Sequence, residues 1–207
     1  MRLPRTAHTS HPWRIHEIAP DFKVEDVWRV PTPGGPDDFP HLVDQMANGS
    51  GAHSSTPVSR ALFAVRWKLG ELLGWDRPDT GLGARVPTLR DRLPADLLEA
   101  PRGPDVKGVP IPFLSVYRTD DEWVAEMANR TVHGVMHIGW VQDTRAPGGY
   151  RGQMAVLVKP NGPFGTLYMA GIKPFRYVGI YQQMLLALGR EWRATAAERS
   201  AAGTSCR

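Results

Sequence analysis

Cysteine is almost missing from this chain: the single one, Cys206, is the last residue but one. No internal disulfide can form, and neither a thiolate metal cluster nor a buried catalytic cysteine can be built, so a reducing cytoplasm is the expected location. Long hydrophobic runs are missing too. No stretch approaches the roughly 18 apolar residues of a membrane span, and MRLPRTAHTSHPWR has no apolar core of the kind a signal peptide needs. A Gly-x-Ser-x-Gly elbow, a P-loop, a His-Glu-x-x-His helix and a Gly-rich turn after a strand are also absent, so hydrolase, kinase, metalloprotease and nicotinamide-binding readings lose support. Nor is charge of one sign gathered anywhere: 25 Lys and Arg stand against 21 Asp and Glu, with Arg92 beside Asp91 and Arg190 beside Glu191. A nucleic-acid binder collects its cations on one face, so no nucleic-acid partner is expected.

The 207 residues, 42% of them hydrophobic, can bury one sizeable core. Residues 1–12 read as a loose tail. WRIHEIAPDFKVEDVWRV then suggests one or two strands that end at Val30, before the breakers PTPGGP. Phe39, Leu42, Val43 and Met46 recur at helical spacing, and a second helix is expected from Thr56-Pro57, with Leu62, Val65, Leu69 and Leu72 in its stripe and Gly74 at its end. From Trp75 to Pro112 prolines and glycines are frequent and only LPADLLEA can form a helical turn or two, which suggests a long cover.

From Ile111 the period changes to that of strands: PFLSVYRT, EWVAEM, TVHGVMHIGWV and YRGQMAVLVKP form a meander, with Asn129-Arg130 as the second turn and DTRAPGG as the third. After Asn161-Gly162-Pro163, the residues Leu167, Tyr168, Gly171, Ile172, Phe175, Val178, Leu185, Leu188 and Trp192 follow helical spacing. They imply a helix on the order of 45 Å long, bent at Pro174. Beyond Ala194 the Ala/Ser/Arg-rich end reads as a flexible tail, which leaves 13–194 as a single domain.

A strand, two short helices, an antiparallel meander and a final long helix make up the element order of the START-like (SRPBCC) helix-grip superfamily, which includes polyketide cyclases and lipid carriers. The resemblance implies an α+β fold in which a curved antiparallel sheet wraps around the C-terminal helix and encloses a pocket. HPWRIHEIAPDF, RALFAVRWKLGELLGW, VPTLRDRLP, NRTVHGVMHIGW and MAVLVKPNGPFGTLYMAGIKPFR also resemble an uncharacterised bacterial family common in actinomycetes, over roughly residues 11–192. That family is known only as a domain of unknown function and also occurs behind short-chain-dehydrogenase-like domains. It supplies no catalytic residues to carry over.

Chemistry must therefore be read from the residues. If Asn129-Arg130 is a two-residue turn, Glu126 stands across from His133 and Glu122 across from His137, two carboxylate–imidazole couples that could move a proton, with Tyr117 as a further donor. The competing reading is a solvated outer face of cross-strand ion pairs, each worth a fraction of a kcal/mol. It is favoured because a sheet covered on one side hides its apolar face. A bulge at Gly134 or Gly139 would reverse the facing of later residues. As a metal site His133 and His137 are about 13 Å apart along a strand, too far to share an ion, so no metal and no cofactor is expected.

The opposite face carries Trp123, Met127, Met136, Ile138, Trp140 and Met154, which with Tyr168 could wall an apolar ligand pocket or equally form plain core. Arg90, in VPTLRDRLP, is a candidate for holding a ligand carboxylate at its mouth, although a solvated loop is the commoner fate of such an arginine. The expected partner is a hydrophobic small molecule, and a homodimer is possible. The leading expectation is a cofactor-independent cyclase, dehydratase or isomerase. A non-catalytic carrier or sensor, or an accessory partner of a reductase, stands as the alternative.

Overall fold

The computed structural model describes residues 1–48, 81–83, 86–106, 112–162 and 180–204. Within them the chain runs β1 (Arg2–Leu3), α1 (Thr6–Thr9), α2 (Ile15–Ile18), β2 (Lys23–Gly34), α3 (Phe39–Ala47), a 3-10 turn (Leu89–Arg92), α4 (Ala95–Glu99), β3 (Leu114–Arg118), β4 (Glu122–Ala128), β5 (Val132–Gln142), β6 (Tyr150–Pro160) and α5 (Ile180–Thr204). The expected second helix, Tyr168, and the first half of the expected long helix with its bend at Pro174 lie outside the described residues.

The strands form one antiparallel six-stranded sheet in the order β1-β2-β6-β5-β4-β3. Strands β3 to β6 are the anticipated meander, and β2 returns to pair with β6. Register shifts between Val24 and Asp26 and between Ser115 and Tyr117 each add one residue to one side of a pair, and the shift between Arg29 and Pro33 adds two. Such irregularities bend a strand and raise its twist, which curves the sheet. The breakers after Val30 do not end the strand. Pro31 and Pro33 stay in β2, where β1 pairs only with Val27 and Trp28 and leaves the remaining edge without a partner strand that would need proline donors.

Two layers of core result. On one face α3 and α5 cover Trp123, Ala125, Ile138, Trp140 and Met154, with Leu185, Leu188 and Trp192 packed from α5. The approach is close: a Cβ on Gly189 would sit 2.5 Å from Pro31 Cγ, so only glycine lets this turn of α5 meet β2. Helix α5 continues as backbone to Thr204, where a flexible tail was expected.

The second layer departs most from the sequence reading. Residues 1–12 are no loose tail. Strand β1 pairs with β2, Arg29 N–H donates to Met1 O at 2.8 Å, and His8 on α1 is completely buried. Ile15 and Ile18, read as strand residues, project from the short helix α2 into the same layer as Trp13 and Phe22. Together with Leu89, Leu93 and Leu97 from the anticipated cover, they pack on Val124, Val135, Ala155 and Leu157 of the sheet. Each sheet face therefore carries a hydrophobic layer.

Candidate functional site

On that second face the two carboxylate–imidazole couples form as expected, but by a different register. Ala128 pairs with His133, not Thr131, because Asn129 N–H donates to Val132 O at 3.0 Å and the Asn129 side-chain oxygen accepts from Thr131 N and Val132 N. Four residues, not two, make the turn. A slip of two keeps every side chain on its face. Glu126 now stands opposite Val135 and Glu122 opposite Gly139, and each carboxylate meets its histidine along the diagonal: Glu126 Oε2 to His133 Nε2 at 2.7 Å, Glu122 Oε2 to His137 Nε2 at 2.9 Å.

Neither couple faces solvent. All four side chains are buried, so the favoured reading of a solvated face is overturned. The bulge considered at Gly134 or Gly139 does not occur, since pairing is continuous through β5 on both sides. Gly139 serves a different end: a Cβ there would lie 2.7 Å from the Trp13 indole, so the missing side chain is the seat on which Trp13 rests beside His137, ring centroids 4.9 Å apart.

The couples differ in what else they hold. Glu126 accepts from Leu89 N with both oxygens, at 3.1 and 3.0 Å, and from the Thr88 hydroxyl, while the Phe22 ring edge meets His133 at 4.8 Å. It fastens the start of the 3-10 turn to the sheet, with every oxygen used. Glu122 accepts from Arg14 N at 3.0 Å, just before α2, and so pins the N-terminal segment. From there a chain of polar contacts continues: His137 Nδ1 lies 3.3 Å from His8 Nε2, and the His16 ring stands edge-on to His8 at 4.8 Å. His8 Nδ1 is buried without a hydrogen-bond partner among the described residues, and the buried Tyr117 hydroxyl adjoins the Glu122 carboxyl.

Burial governs the electrostatics of this second couple. It pushes the Glu122 carboxyl up to about 7 against the opposing pull of the Arg14 N–H, and it holds His137 down at about 3 and His8 at about 2. Burial, and then the neighbouring Glu122 charge, raise the Tyr117 hydroxyl above its usual range. Neutral forms are favoured throughout, and Glu122 is placed where it can gain or lose a proton near neutral pH.

Most of the predicted pocket residues gather on the other face of the sheet, away from both couples. Trp123, Ile138, Trp140 and Met154 are buried in the α5-facing layer, where Trp123 Nε1 donates to Ser115 Oγ at 2.8 Å and Trp140 Nε1 to Gly35 O at 3.0 Å. Met136 packs partly buried on the same layer, and Met127 lies across from Gly134. Arg90 turns inward and donates to Val116 O at 2.5 Å, and Arg92 pairs with Asp21 at 2.7 Å. Sequence reasoning missed His8, Trp13, Arg14, Thr88 and Leu89. The signal for the first two was the aromatic and histidine density of TAHTSHPW, which disordered tails rarely carry.

Among the described residues no group of three or more His, Cys, Asp or Glu is arranged to hold a metal ion, and no helix is long and apolar enough to cross a membrane. No curated protein matches the chain. Residues 18–184, which include both couples and leave His8 and Arg14 outside, match one family over most of the chain, and the protein thus belongs to the family described as "Protein of unknown function (DUF2867)".

Proposed function

We propose that the protein is a cofactor-independent acid/base enzyme of cyclase, dehydratase or isomerase type acting on a small hydrophobic metabolite, with the Glu122–His137–His8 chain as its proton-transfer unit. The observation that carries this reading is the contact series from Glu122 Oε2 through both nitrogens of His137 to His8 Nε2. A carboxyl group poised near 7 is what general acid/base catalysis uses, because it can give up or take a proton at little cost near neutral pH, and the neutral imidazole beside it keeps it oriented. A curved six-stranded antiparallel sheet with a C-terminal helix against one face is what a helix-grip protein would have, and the resemblance in sequence supports a cyclase or dehydratase by analogy alone.

A second reading, a non-catalytic carrier or sensor of a lipid or polyketide-like ligand, is favoured by the burial of His8 and His137, since a catalytic group must meet its substrate. Mass spectrometry of the small molecule retained by the purified protein separates the two. The enzyme reading expects wild-type protein to convert that molecule to an isomer or to a product lacking one water, and His137→Gln to retain the molecule without converting it. Retention with no conversion by wild type would favour the carrier.

A further inference from the structure

Between α1, α2 and the start of β2 lies an open cleft of about 520 Å³, separate from the α5-facing layer of Trp123, Ile138, Trp140 and Met154. Its polar lining includes Arg5, His16 and Lys23, and its apolar lining includes Pro20, Phe22 and Val24. No carboxylate is among the residues that line it. Its walls back onto both couples: His16 stands against His8, whose ring contacts His137, and Phe22 stands against His133.

The charges set the class of ligand. Arg5 is engaged by Glu25, through the carboxylate at 3.4 Å and the backbone carbonyl at 3.3 Å. Lys23 has no ion pair among the described residues, which leaves the cleft with one cation to be matched. A monoanion fits this balance, whereas a phosphate dianion would bring a second charge without a partner. The apolar wall asks for a hydrocarbon body.

We propose that this cleft binds the carboxylate of an apolar organic acid, with Lys23 and Arg5 at the charged end and Phe22 and Val24 along the chain. The proposal rests on the acid/base reading only in making such an acid its substrate; binding does not require turnover.

Hexanoate, hexan-1-ol and inorganic phosphate, titrated separately into the full-length ¹⁵N-labelled protein, test it. Hexanoate should give saturable shifts at His16, Phe22, Lys23 and Val24 and bind about tenfold more tightly than hexan-1-ol, the difference one charge-assisted contact supplies. Lys23→Gln, at an exposed position, should weaken hexanoate about fivefold and leave hexan-1-ol unchanged. Equal binding of acid and alcohol, tighter binding of phosphate than of hexanoate, or a Lys23→Gln protein that binds like wild type would each overturn it. In His137→Gln hexanoate should bind as in wild type. The cleft then stands even if no turnover is found, and absent hexanoate binding removes the cleft while leaving proton transfer to its own assay.

Discussion

The two carboxylate–imidazole couples occupy the same face of the same strand pair, four residues apart on each strand, and yet they are unlike. Around Glu126 the polar groups are matched: two backbone contacts from Leu89, a hydroxyl from Thr88 and an imidazole from His133. Around Glu122 the Arg14 and Ile15 N–H groups and the Tyr117 hydroxyl adjoin the carboxyl, but the polar chain runs on through His137 to His8, whose buried Nδ1 is left over among the described residues. A carboxyl group that accepts from the backbone and hydroxyl of a covering segment, as Glu126 does, fastens that segment to the sheet. At Glu122 burial outweighs the donors and drives the carboxyl toward its neutral acid. Identical residue pairs thus yield a fastening at one end and a proton-exchanging group at the other, and the covering segment makes the difference.

The most severe way to break the comparison is Glu126→Ala. It would strand the Thr88 hydroxyl, the Leu89 N–H and His133 in a buried layer, and loss of one partner from a buried network costs about 3–5 kcal/mol. Denaturant unfolding should show this drop. Glu122→Ala, which removes a carboxyl that burial already drives toward its neutral form, should lose about half as much. Equal losses would mean that the two couples are energetically alike.

Gly139→Ala attacks only the Glu122 side. The new methyl would meet the Trp13 indole at 2.7 Å and must displace it, and overpacking of this kind costs about 1–3 kcal/mol. Because Trp13 immediately precedes the Arg14 N–H that Glu122 holds, amide exchange should accelerate along residues 6–18 and stay unchanged at Leu89. Exchange that rises equally at both covers would show them to open as one unit.

Much of this arrangement was legible in the sequence. Alternation along EWVAEM and TVHGVMHIGWV placed Glu122, Glu126, His133 and His137 on one face and Trp123, Ile138 and Trp140 on the other. The two-residue error in the turn at Asn129 did no harm, because strand period is two. What alternation cannot report is the second cover. The segments that form it, α1, α2 and the 3-10 turn, have four residues each, about one helical turn, and so are too short to show any periodicity. The burial of the couples depends on those segments, and so does the function of Glu122. The reading of Pro31 and Pro33 as strand breakers failed for a related reason: whether a proline is tolerated depends on whether another strand lies beside it, which is a tertiary fact.

The smallest effect is also the sharpest test of the difference. A protonated Glu122 offers one acceptor to the Arg14 N–H and one donor to His137 Nε2, and glutamine offers the same two, so Glu122→Gln should change stability by less than about 1 kcal/mol at pH 4, where both the folded and the unfolded chain carry the Glu122 proton. At Glu126 the same change must turn an amide NH2 toward a donor already bound there, because both oxygens accept from Leu89 N, and about 2 kcal/mol should be lost. The pH dependence follows with its sign. His8 and His137, held near 2 and 3, remain neutral in the folded chain while the unfolded chain takes up protons below its ordinary histidine value of 6.5, so each makes stability fall as pH falls below 6.5. Glu122, raised to about 7, acts in the opposite sense: between 4.5 and 7 only the folded chain carries its proton, and stability falls as pH rises through that window. From these three groups wild type should lose about 1.4 kcal/mol for each pH unit from 6.5 down to 4.5, the net of two protons against one. Glu122→Gln removes the opposing group, so its acid slope should double to about 2.8 kcal/mol per unit over the same range. An unchanged slope in urea titrations from pH 4.5 to 6.5 would show that folded Glu122 holds no extra proton in that range, and the contrast between the couples would collapse.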